Sequence, residues 1–366
     1  MDEQQTFDFS TTDSPLVGKV KGDRNTMVYN FFSLRREKET ELPRYDDGKT
    51  WIEVVGTKHG VASIWDKELL VYSASLIADK INRGQMPSPR ITFTAHDFFI
   101  TTGSTPGGSA YDRLEESLAR LKSTFIRTNI ETGGEGEDRG FGWLDEYKIL
   151  YRRGRDGAKQ MRAVELTLCA WLFRAIVQDK HFLTYSPKYF ELPPVAKRLY
   201  EIARSGPQGG FRMGLAKLRA RVGTSQDLRR FKAEINTYAT HKRSLPGYGI
   251  ALIDPRVRRA LDKGFPKPTG QTALKSWLVA FYPTTNITSL APIETMPLLE
   301  EDEVEPLPEA APAHGVHGVH DAAGSGTGSS DTGGKTPQDP PPRRLRAARR
   351  DGVGATALPS KVPARR

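Results

Sequence analysis

Cysteine is almost missing from this chain: Cys169, inside the apolar run LTLCAWLFRAIV, is the single one among 366 residues. That excludes an internal disulfide and any zinc site built from several thiolates, and it fits a reducing, cytoplasmic setting. Long hydrophobic runs are missing too, since none reaches the roughly 18 apolar residues that a bilayer crossing requires. The start, MDEQQTFDFS, carries acid where a secretory leader carries base and then an apolar stretch; no signal peptide and no membrane partner are expected. His59, His96, His181 and His241 stand far apart in the sequence and offer no pair for a metal-dependent nickase. No Ser, His and Asp set converges either, so neither enzymatic activity nor a cofactor is expected. GGKT at 333–336 lacks the leading glycine of a phosphate-binding loop, Ser329 standing in its place. His314, His317 and His320 have ligand-like spacing but sit in a low-complexity stretch with nothing to orient their rings, so no metal site is assigned to them.

What the chain does have is positive charge. A formal net charge of +10 points to a polyanionic partner, most simply nucleic acid. Residues 211–238, FRMGLAKLRARVGTSQDLRRFKAEINTY, read as two short helical patterns around a glycine turn, the order of a helix-turn-helix. In the second pattern Leu228, Phe231, Ile235 and Tyr238 recur at offsets of three and four and share one face. The opposite face carries Gln226, Arg229, Arg230, Ala233, Asn236 and Thr237, types that suit base edges: arginine for guanine, glutamine or asparagine for adenine, alanine for close approach. Gly223 is placed for the sharp turn, and Thr224 or Ser225 for the helix cap. Basic residues extend the candidate DNA-binding surface to Lys217, Arg219 and Arg221 before the turn, Lys242 and Arg243 after the helix, and Arg256, Arg258 and Arg259 beyond the next strand.

The pattern along the chain predicts an α+β protein of two tandem winged-helix domains with a disordered C-terminal tail. A flexible arm is expected over 1–27, a first winged helix over 28–185, a second over 186–283, and a tail, acidic and then basic, over 284–366. In the first domain the strand FIRTNIET, the turn GGEGEDRG and the strand FGWLDEYKILYRR read as a hairpin wing. That wing would carry Glu135, Glu137 and Asp138 at its tip, and Asp112 and Glu116 lie on the outer face of the helix over 111–122. Carboxylates there oppose phosphate, so the second domain is expected to dominate DNA binding, with the first making lighter contacts or a protein interface.

The blocks TAHDFF, YDRLEESLARLKSTFIRTNI, FGWLDEYKI, VELTLCAWLFRAI, YFELPPVAKRLYEIAR, LRRFKAEI and LPGYGIALI, in that order, resemble the plasmid replication initiator protein A (RepA) family from about residue 50 to 253. The resemblance implies a sequence-specific initiator that binds repeated origin sites on double-stranded DNA, promotes origin opening and recruits host initiator and helicase. It also implies binding as a monomer to direct repeats and as a homodimer, through the first domain, to an inverted repeat at its own promoter. A winged-helix transcriptional regulator is the alternative in the same binding class, and an origin nickase the enzymatic one.

Overall fold

The computed structural model describes residues 12–135, 140–154, 157, 159–180, 182–254, 256, 273–285 and 292–299. Within them the chain is α+β, with short helices interleaved between small open antiparallel sheets of two or three strands. The first lobe begins with β1 (Lys21–Asp23) and α1 (Arg24–Val28), whose first turn is capped by the Asp23 carboxylate accepting from Thr26 N at 2.8 Å. β2 (Tyr45–Asp46) and β3 (Trp51–Val55) follow, then α2 (Lys67–Asn82), β4 (Arg90–Phe93), α3 (Ala95–Thr102), α4 (Gly108–Ser123) and β5 (Phe125–Thr128). A long hairpin of β6 (Leu144–Arg153) and β7 (Lys159–Leu168) leads into α5 (Ala170–Val177).

Each helix takes its place from its pattern. α2 is apolar nearly all round and is accordingly buried nearly all round. α4 has one apolar stripe, so Leu114, Leu118 and Leu121 are buried while its other side faces solvent. They pack into a first core centred on Trp143, against which Phe32 stacks at 5.0 Å and Phe31 sits edge-on at 5.5 Å.

The second lobe holds β8 (Phe182–Thr184), α6 (Pro194–Ser205), β9 (Phe211–Gly214), α7 (Leu215–Val222), α8 (Leu228–Ala239), β10 (Tyr248–Ile253) and β11 (Leu278–Pro283). Its sheet runs β10-β11-β9, and its core gathers Leu199, Phe211, Met213, Leu218, Val222, Phe231, Ile235 and Phe281. The lobes interlock. β8 pairs with β1, and Met27 and Val71 from the first lobe belong to the second core.

Three expectations are corrected. Residues 12–27 are no free arm, because β1 pairs with β8, Asp13 N donates to Thr92 O, and Asp23, Thr26 and Met27 are buried. The hairpin expected between β5 and the strand after it does not form. β5 pairs with β3 instead, setting Ile126 beside Val54 and Thr128 beside Ile52, so that inward residues meet inward residues. β6 pairs with β7, and just one bridge, Ile126 to Phe141, joins the two segments expected to pair. Third, residues 292–299, assigned to the tail, lie on the second lobe: Met296 and Leu299 are buried and Leu298 bridges Arg212. The rest of the tail lies outside the described residues.

A charged seam joins the lobes. Lys67 at the start of α2 donates to Glu201 of α6 at 2.6 Å, both side chains being at most 1% exposed. Arg198 pairs with the other oxygen of Glu201, Lys197 pairs with Glu68, and the hydroxyls of Tyr185 and Tyr189 donate to Glu201 at 3.1 and 2.7 Å. Burial lowers the Lys67 ammonium to about 8 against the opposing pull of Glu201. Burial also pushes the Glu201 carboxyl up, but Lys67 and Arg198 outweigh it and hold it below its ordinary value. The pair is therefore ionic at neutral pH. Each partner depends on the other to offset its desolvation.

Candidate nucleic-acid interface

α7 and α8 form the helix-turn-helix. Gly223 ends α7 at φ +77°, in the left-handed region, and a Cβ there would lie 2.0 Å from Asn30 Nδ2; only glycine fits this turn against the first lobe. The helix cap is Asp227, not Thr224 or Ser225: its carboxylate accepts from Arg229 N at 2.9 Å and Arg230 N at 3.0 Å. Thr224 instead accepts from Gln226 N within the turn, and Ser225 Oγ meets the Arg35 guanidinium at 2.5 Å.

With Phe231, Ile235 and Tyr238 buried, α8 presents Arg229, Arg230, Ala233 and Asn236 to solvent. The Arg230 side chain is 82% exposed and pairs with Asp227 one turn back at 3.4 Å. Gln226 and Thr237 are half-buried, and Gln226 Nε2 donates to Glu234 at 2.8 Å. Arg219 is also half-buried, its guanidinium donating to Gln226 O at 2.9 Å, which braces the turn. Lys217 donates to Leu299 O at 3.4 Å. Lys242 and Arg243 are exposed after α8, Arg243 lying 3.7 Å from Glu234. Arg256 reaches back to Asp254 at 3.5 Å, while Arg258 and Arg259 lie outside the described residues.

Arg221 leaves the candidate set. It is buried, with its guanidinium beside Tyr45 and Asp47 of the first lobe. Because α7 packs against that lobe, its 221 position faces inward; helical spacing cannot distinguish a solvent face from one covered by a distant segment.

Arg198 sits beneath this arrangement. Its Nη1 donates to the carbonyls of Thr26 and Met27 at 3.1 and 3.0 Å, and its Nη2 donates to the Arg221 carbonyl at 3.1 Å. One fully buried guanidinium thus ties α1 and α6 to the end of α7, and the seam fixes where the helix-turn-helix stands on the first lobe.

The first lobe supplies a basic element that the expected strand pairing concealed. The β6–β7 hairpin exposes Tyr151, Arg152, Arg153, Lys159 and Arg162, with the Lys159 ammonium 4.6 Å from the Tyr151 ring centre. A signal for it was present in RRGRDGAK, where an Asp-Gly step stands between two alternating stretches. Glu135, expected on an acidic wing tip, lies instead on a short turn bridged to Thr132 and pairs with Arg174 at 3.4 Å. Glu137 and Asp138 lie outside the described residues. On α4, Asp112 and Glu116 are exposed as expected, and Arg120 is held by the buried carboxylate of Asp66 at 2.8 Å.

Among the described residues, no helix is long and apolar enough to cross a membrane, and no group of three or more His, Cys, Asp or Glu is placed to hold a metal.

A family model described as Replication initiator protein A matches residues 21–250. A protein assigned to replication in Wigglesworthia glossinidia brevipalpis is 32% identical over 248 residues, spanning 66% of this chain and 88% of that protein. Among solved structures, domains 2 and 3 of RctB align with a TM-score of 0.50 at 14% identity, over 71% of this chain and 98% of that one. The Pi initiator protein in complex with iteron DNA aligns with a TM-score of 0.39 at 14% identity, over 68% and 99%. The likeness to RctB is one of fold.

Proposed function

The chain belongs to the replication initiator protein A family, and from that premise we propose that it is a non-catalytic initiator of plasmid replication, binding repeated origin sites on double-stranded DNA through two tandem winged helices. The observation that carries this reading is α8, a capped helix with its apolar face sealed in the core and Arg229, Arg230, Ala233 and Asn236 facing outward. Arginine and asparagine on an exposed helix can read guanine and adenine edges in the major groove, and alanine lets the helix approach. The basic residues flanking it, Lys217, Arg219, Lys242, Arg243 and Arg256, serve as phosphate contacts that set its register.

The β6–β7 hairpin gives the first winged helix its own phosphate-binding wing, so the two lobes share the DNA more evenly than their α4 and α8 faces alone suggest. The first lobe also carries self-association at an inverted repeat. Bound repeats position the protein to open adjacent duplex in the cytoplasm and to recruit the host initiator and helicase.

Footprinting on the DNA flanking the gene tests this. Protection of several short direct repeats, with strand opening beside them in supercoiled plasmid, is the expected result. A single protected palindrome without opening would identify a transcriptional regulator instead, and a covalent protein-DNA adduct would identify a nickase.

A further inference from the structure

Leu299 is pinned at the foot of α7. Its N–H donates to Arg212 O at 2.8 Å, and Arg212 returns bonds from N to Pro297 O and from Nε to Met296 O, both at 2.8 Å. Its carbonyl accepts from the Lys217 ammonium at 3.4 Å. The six residues that follow are Glu300, Glu301, Asp302, Glu303, Val304 and Glu305, which hold five carboxylates and no base. The most acidic run of the chain therefore starts beside a lysine of the helix-turn-helix.

We infer that this run docks along α7 toward the turn into α8, its carboxylates taking the place of DNA phosphates, and so competes with DNA for the helix-turn-helix. The inference rests on the DNA-binding reading of that motif. Six extended residues reach about 20 Å, whereas the eight-residue α7 rises about 12 Å. The run can thus pass Lys217 and Arg219 and arrive at the turn. The tether makes the contact intramolecular, at an effective concentration on the order of millimolar, so weak ion pairs suffice. These contacts are solvent-exposed and hence screened: docking is strong at low salt and fades as the Debye length falls below about 10 Å.

The test uses the full chain and a variant carrying Glu300→Gln, Glu301→Gln, Asp302→Asn, Glu303→Gln and Glu305→Gln, which keeps length and removes charge. Carbodiimide coupling without DNA, mapped by mass spectrometry, should join Lys217 to Asp302, Glu303 or Glu305, and a scrambled 30-base-pair duplex (a length of about three helical turns) should suppress the coupling. The variant should bind that duplex about three to ten times more tightly than the parent at roughly 50 mM salt, and equally at roughly 300 mM. Unchanged affinity at low salt, or coupling of the run only to other lysines or to a second copy, would overturn the inference. Coupling to Lys217 in a chain that binds no duplex would uphold the docking and reject the DNA-binding reading.

Discussion

Arg230 and Glu201 lie at opposite extremes of exposure, and their replacement has different expected consequences. Arg230 is solvent-facing and contributes little to the fold, so Arg230→Ala should cost about 1 to 3 kcal/mol at the specific repeat while leaving binding to random duplex nearly intact. Competition binding at one salt concentration measures this, and equal losses on both duplexes would reassign the side chain to phosphate. Glu201 is fully buried between Lys67 and Arg198, so Glu201→Gln strands two buried cations and should destabilise the protein by about 3 to 5 kcal/mol. The pH dependence follows from its depressed pKa. Between the folded value and the ordinary value of about 4.3, the unfolded chain binds more protons, so stability rises with pH. The contribution is complete above that window and is lost as pH falls through the folded pKa. Urea unfolding from about pH 3 to 7 should show a flatter acid limb for Glu201→Gln than for the parent; parallel limbs would mean that the carboxyl is not held low.

At the scale of elements, the β6–β7 hairpin and the 292–299 segment are the features with the clearest tests. Changing Arg152, Arg153 and Lys159 to alanine should weaken binding to specific and random duplex alike. The slope of log affinity against log salt should fall by about one for each phosphate that is no longer neutralised. An unchanged slope would remove the hairpin from the interface. The 292–299 segment buries Met296 and Leu299, and removing a buried side chain of this size costs about 2 to 5 kcal/mol. A chain ending at Thr285 should therefore unfold at lower urea than one ending at Leu299. Coincident curves would show that the segment adds nothing to the second core.

Across the whole molecule, β1 pairing with β8, Met27 and Val71 in the second core, and the Lys67–Glu201–Arg198 seam leave little that either lobe can do alone. The lobes should unfold together. Trp143 and Trp171 in the first core report by fluorescence, and far-ultraviolet circular dichroism reports on helices in both lobes, so the two transitions should coincide in urea. Two separated transitions would make the seam a weak contact between independent domains. One cooperative unit would hold the helix-turn-helix at a set position relative to the β6–β7 hairpin.

Local spacing by itself determined the helices that bear on function. Leu114, Leu118 and Leu121 on α4, and Phe231, Ile235 and Tyr238 on α8, follow a period near 3.6, which selects the buried face whatever lies across from it. The exposed Arg229, Arg230 and Asn236 and the left-handed Gly223 follow from the same local geometry. Tertiary structure alone decided which strands pair, where 12–27 and 292–299 pack, that Arg221 is covered, and that Lys67, Arg198 and Glu201 converge. An alternating strand specifies which of its faces is apolar but not which distant strand completes its ladder; a charged side chain has no local sign of the opposite charge that lets it be buried. Lys67 and Glu201 are 134 residues apart in sequence and 2.6 Å apart in space, and only the fold brings them together.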